Sequence, residues 1–69
     1  MKLSARNTLP GVIGKIHLGA VNAEVTIEVA PGITIVSIIT LDSVRSLGLK
    51  EGRNACAVIK ASSVMVGVD

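Results

Sequence analysis

The chain has 69 residues, no aromatic side chain, one cysteine and a formal net charge of +2, with 49% hydrophobic residues. A chain this short buries only about 60% of its unfolded surface, so one core is marginal and disulfides, a metal or oligomerisation usually assist. A lone Cys56 and a lone His17 exclude an intrachain disulfide and a four-ligand zinc site, which leaves self-association.

Along the chain, Val, Ile and Thr favour strands. Leu3–Asn7 reads as a strand with Ser4 and Arg6 on one face, broken or bulged at Pro10-Gly11 and continued through Val12–Leu18. Gly19-Ala20-Val21-Asn22 reads as a turn. Ala23–Ala30 alternates, with Ala23, Val25, Ile27 and Val29 facing in and Glu24, Thr26 and Glu28 facing out. Pro31-Gly32 is a turn signal. Ile33–Ile39 is apolar on nearly both faces, which suits a central strand or one covered by another subunit.

The one helix expected runs over Leu41–Leu47, with Thr40 as N-cap and Gly48 as the residue that ends it. Leu41, Val44 and Leu47 form its apolar stripe. Lys50-Glu51-Gly52 is a turn, Asn54–Lys60 a strand, Ala61-Ser62-Ser63 a bend and Val64–Val68 a final strand. The resulting expectation is an all-β, five-stranded OB-like barrel with one short helix between strands 3 and 4, in a single domain over residues 1–69. A small sandwich is the alternative. No apolar run is long enough to span a membrane, and Ser4, Arg6 and Asn7 interrupt any secretory leader. The cytoplasm is the compartment expected for a chain with one thiol.

Signals for catalysis are poor. No nucleophile elbow surrounds any serine, and there is no phosphate-binding glycine loop. Cys56, between Ala55 and Ala57, reads as a small core residue, and His17 as an ordinary strand-end histidine. Glu24 and Glu28 read as a solvated or interfacial face. Neither an enzyme nor an organic cofactor is expected.

Groups suited to an anion are more numerous. Ser4 and Arg6 supply a hydroxyl and a permanent planar cation. Thr40 and Ser43 bracket the start of the helix, where free backbone N–H groups and a partial positive charge collect. Lys60-Ala61-Ser62 offers an ammonium, a backbone amide and a hydroxyl. Together they suit a tetrahedral dianion, whose desolvation must be met by opposite charge and hydrogen bonds. Taken one at a time, the same residues also read as an edge strand blunted by Arg6, a helix cap and a solvated strand end.

These residues also carry a resemblance. Ser4-Ala5-Arg6-Asn7, Gly19-Ala20-Val21-Asn22-Ala23-Glu24-Val25, Leu47-Gly48-Leu49-Lys50-Glu51-Gly52 and Val58-Ile59-Lys60-Ala61-Ser62-Ser63-Val64 resemble the molbindins, the small molybdate-binding proteins of the TOBE type. The resemblance covers essentially the whole chain. It implies an OB-like barrel assembled as a homohexamer, a trimer of dimers, with molybdate or tungstate bound between subunits. It further implies an intracellular storage or homeostasis role, with molybdenum held only as the oxyanion.

By position, Ser4, Arg6, Thr40, Ser43, Lys60, Ala61 and Ser62 would surround the oxyanion, some of them from a neighbouring chain. Gly19, Ala20, Val21 and Asn22 would form a second, axial site, with His17 nearby. Leu18 and Leu41 depart from the more polar residues expected there. Two other readings stand beside this one. An OB-type nucleic-acid module would stack bases on aromatic side chains, which this chain lacks. A ligand-free assembly module would not need Arg6 and Lys60 beside hydroxyl-rich turns.

Overall fold

The computed structural model describes residues 1–69. Four strands and two short helical turns follow one another: β1 (Asn7–Leu18), β2 (Asn22–Ala30), β3 (Ile33–Thr40), α1 (Leu41–Leu47), β4 (Asn54–Ile59) and a 3-10 turn over Ala61–Ser63. The strands form one antiparallel sheet in the order β3-β2-β1-β4. The all-β class and the position of the helix between β3 and β4 match expectation.

Three expectations about strands are corrected. The chain enters the sheet only at Asn7, because Ser4 and Arg6 bend the segment before it, so Leu3–Asn7 is not a strand. Val64–Val68 takes no regular structure and leaves four strands, not five. Pro10-Gly11 does not interrupt β1. Pro10 pairs with Cys56 of β4, while the β1–β2 ladder starts only at Val12, so the missing proline N–H falls where β1 has one neighbour. Gly11 is needed for contact: a Cβ there would collide with the carbonyl oxygen of Glu28 and with Ile27.

A bulge lies one turn of the pleat further on. Ile13 pairs with Ile27 but Lys15 pairs with Thr26, so Gly14 is the extra residue. Ile13 and Ile16, three apart, would face opposite sides of a regular strand. The bulge returns both to the inner face, where Ile16 packs on the cluster of Ile13, Val25, Ile27 and Ala57.

β2 buries its alternation as read: Ala23, Val25 and Ile27 are buried and Val29 is half-buried. β3 is not central. It is an edge strand, and Val36 and Ile38 on its outer face are 57% and 62% exposed. Only five of the 69 residues are buried, all of them aliphatic, so a single chain carries the incomplete core that its composition implies. Cys56 is exposed, contrary to expectation, because the inward positions of β4 are taken by Ala55, Ala57 and Ile59.

Helix α1 is closed at both ends. Thr40 is extended and its hydroxyl accepts from the Ser43 N–H at 3.1 Å, while Gly48 adopts the left-handed region at φ 63°. Arg53 donates to the Gly48 carbonyl at 2.6 Å, placing a cation at the negative end of the helix. Val44 packs against the core, but Leu47 is 64% exposed, so the apolar stripe is only partly covered.

Candidate functional site

The pairing of Asn7 with Ile59 joins the start of β1 to the end of β4. That single register position carries the segment before Asn7 and the segment after Ile59 to the same corner. There a cleft is lined by Ser4, Ala5, Arg6, Lys60, Ala61 and Ser62, with Val58. Five of the seven residues expected around an oxyanion therefore meet in one chain.

The chemistry of this cleft is one-sided. It is lined by two cations and two hydroxyls, with no carboxylate. The single ion pair of the chain joins Arg45 to Asp42 at 3.8 Å on the exposed side of α1, so neither Arg6 nor Lys60 has an acidic partner. No side-chain hydrogen bond occupies Ser4, Arg6, Lys60 or Ser62. In the 3-10 turn, Ser63 N–H donates to Lys60 O at 2.9 Å and Val64 N–H to Ala61 O at 3.3 Å. The N–H groups of Ala61 and Ser62 precede those bonds and have no protein partner, as at the start of any helical turn. Two like charges sharing one cleft repel, and an anion relieves that repulsion.

Thr40 and Ser43 are not in this cleft. Besides capping α1, Thr40 Oγ1 donates to Ser43 Oγ at 2.9 Å. They lie beside the Gly19–Asn22 turn, since Asn22 is the register partner of Thr40 and Leu41 N–H donates to Val21 O at 3.1 Å. The turn itself closes through Gly19 N–H on Asn22 O at 2.8 Å. The candidate residues thus form two groups at the two ends of β1. Its 12 residues correspond to a path of roughly 40 Å at about 3.3 Å per residue.

His17 is exposed and stands opposite Glu24 in the β1–β2 ladder. No cluster of His, Cys, Asp or Glu suited to a metal ion occurs. The cleft also includes Ala5 and Val58, which sequence reasoning did not single out. Val58 lies two residues before Lys60, and that period-2 spacing is the signal that could have found it. No helix is long and apolar enough to cross a membrane.

The TOBE domain family matches residues 3–66. Molybdenum-pterin-binding protein 1 of Clostridium pasteurianum is 50% identical over 66 residues, covering 96% of this chain and 97% of that protein. The ligand-free structure of MopII from the same organism is similar with a TM-score of 0.90 at 48% identity, over 97% of this chain and all of that one. ModG, described as a cytoplasmic molybdate-binding protein and solved with molybdate bound, is similar with a TM-score of 0.93 at 52% identity. This chain is covered in full and spans 49% of that one.

Proposed function

This chain belongs to the TOBE-domain family, and we propose that it binds molybdate, or the similar tungstate, as an intact oxyanion at sites completed between copies of itself. The observation that carries the proposal is the cleft of Ser4, Arg6, Lys60, Ala61 and Ser62, with two unpaired cations, free hydroxyls and no acid. Arg6 and Lys60 balance a charge of −2, and hydroxyl and backbone donors replace the ion's water. No bond is made or broken, so the role is binding and not catalysis.

Separation of the two residue groups supports a shared site. Thr40 and Ser43 reach the anion only from a second chain, because in their own chain they sit at the far end of β1. The incomplete core and the apolar outer face of β3 favour a homo-oligomer, for which a trimer of dimers is the proposed form. The Gly19–Asn22 turn is the proposed second site, built from backbone groups next to Thr40. Storage and homeostasis of molybdate in the cytoplasm, by a single small domain, is the proposed role.

Selectivity against sulfate follows from size. Both ions are tetrahedral dianions, and a rigid cavity fitted to the larger one leaves sulfate with long, weak hydrogen bonds. The test is calorimetric titration of the protein with molybdate in excess sulfate. Saturable heat is expected; a flat trace refutes the proposal.

A further inference from the structure

The cleft that holds Arg6 and Lys60 has one lining group whose chemistry is opposite to theirs. Strand alternation turns Ala57 inward, at 5% exposed, and Val58 outward, at 45% exposed. Lys60 keeps extended dihedrals, φ −62° and ψ 130°, so the alternation runs one residue past β4 and sets Lys60 on the side of Val58. The donors of the cleft belong to residues 4–6 and 60–62, which lie beyond the Asn7–Ile59 pair. Val58, the register partner of Thr8, lies on the sheet side of that pair and closes the cleft there. Among the lining side chains it is the one purely hydrocarbon group larger than a methyl.

Such a wall makes no hydrogen bond to an oxygen. An ion seated against it draws its donors from the two flanking segments. A dianion large enough to touch the wall and both flanks keeps short bonds. A smaller one that rests on the wall leaves a flank at long distance, and nothing behind it repays the loss. The wall also keeps water from that side, where a bridging water would serve the smaller ion. Branching at Cβ restricts the valine χ1, so the wall does not repack around a smaller ion as a flexible side chain would.

We infer that Val58 is a specificity-determining residue of the oxyanion site: its branched apolar side chain closes the cleft without offering a donor, and this separates molybdate from sulfate. Arg6 and Lys60 cannot make that distinction, since both ions carry the same charge. The inference rests on the oxyanion reading above and assigns its selectivity to a residue that makes no hydrogen bond to the ion.

The test compares the full chain with V58T and V58A. Titration calorimetry gives the molybdate affinity, and competition against molybdate gives the sulfate affinity. Threonine keeps the branching and the strand preference of valine and adds one hydroxyl donor, whereas alanine opens the wall to water. Val58 is exposed enough for either change to leave the protomer folded, and circular dichroism with size exclusion checks fold and assembly. The ratio of molybdate to sulfate affinity is expected to fall roughly fivefold or more in both variants. In V58T the fall comes mainly from tighter sulfate binding, and in V58A mainly from weaker molybdate binding. A ratio that stays within about twofold of the parent's in either folded variant overturns the inference and leaves the oxyanion site standing. A parent chain that binds no molybdate overturns the oxyanion reading itself, and the inference with it.

Discussion

Arg6 and Lys60 line one cleft because Asn7 and Ile59, the residues next to them, are partners in the β1–β4 ladder. Neither cation has a carboxylate partner. The relationship is electrostatically unfavourable while the cleft is empty of anions and favourable once a dianion enters, which is the arrangement a binding site needs.

Replacing Arg6 or Lys60 by Ala therefore weakens molybdate binding without harming the fold. A hydrogen bond to a charged group contributes about 1.5–3 kcal/mol, so each change lowers affinity roughly tenfold or more. Titration calorimetry measures the loss. The ligand-free melting temperature is unchanged or slightly raised, because a like-charge repulsion is removed.

Thr40 serves the helix in its own chain and, in the proposed site, the anion of another. Thr40→Ala removes the acceptor for Ser43 N–H and destabilises the chain by about 0.5–2 kcal/mol. Thr40→Asp keeps a capping oxygen and favours the helix N-terminus but repels a dianion. The Asp variant should melt like the parent while binding molybdate at least tenfold more weakly. Equal binding by the Asp variant would remove Thr40 from the site.

Ile13 is 1% exposed and stands at the centre of the small core. Ile13→Ala is expected to cost about 2–5 kcal/mol in urea unfolding at fixed protein concentration. So large a fraction of a small domain's stability should leave the variant partly unfolded at 25 °C.

Gly11→Ala tests the close approach of β1 and β2. A methyl group at Gly11 meets the Glu28 carbonyl and Ile27, and the strands must part to admit it. A loss of about 1–3 kcal/mol is expected by the same unfolding measurement.

Ligand and stability are linked if the chain binds only when folded. At a molybdate concentration 100 times the dissociation constant, stabilisation is about 2.7 kcal/mol. The melting temperature should rise with molybdate and stay nearly flat with sulfate over the same range.

Several features were legible locally. Thr40 and Gly48 bound α1 as read, because a cap needs only neighbouring backbone groups. Pro31-Gly32 forms its turn with Gly32 at φ 74°, and the alternation of Ala23, Val25 and Ile27 becomes the buried face of β2. The groups proposed to hold the anion were also legible as residue types, since charge and hydroxyls are properties of the side chains themselves.

What the sequence determined alone was thus the inventory: short aliphatic strands, one capped helix, cationic and hydroxyl donors and a core too small for one chain. Tertiary structure decided which of these meet. The Asn7–Ile59 register united Ser4, Arg6 and Lys60, while the length of β1 kept Thr40 and Ser43 away from them. The bulge at Gly14 put Ile13 and Ile16 on one face, and the inward alanines of β4 turned Cys56 outward. Val64–Val68 has the pattern of a strand and found no edge in its own sheet. A strand's pattern states which face is apolar, but hydrogen-bond pairing between distant segments chooses its neighbour, and that choice depends on register and topology that no local run encodes.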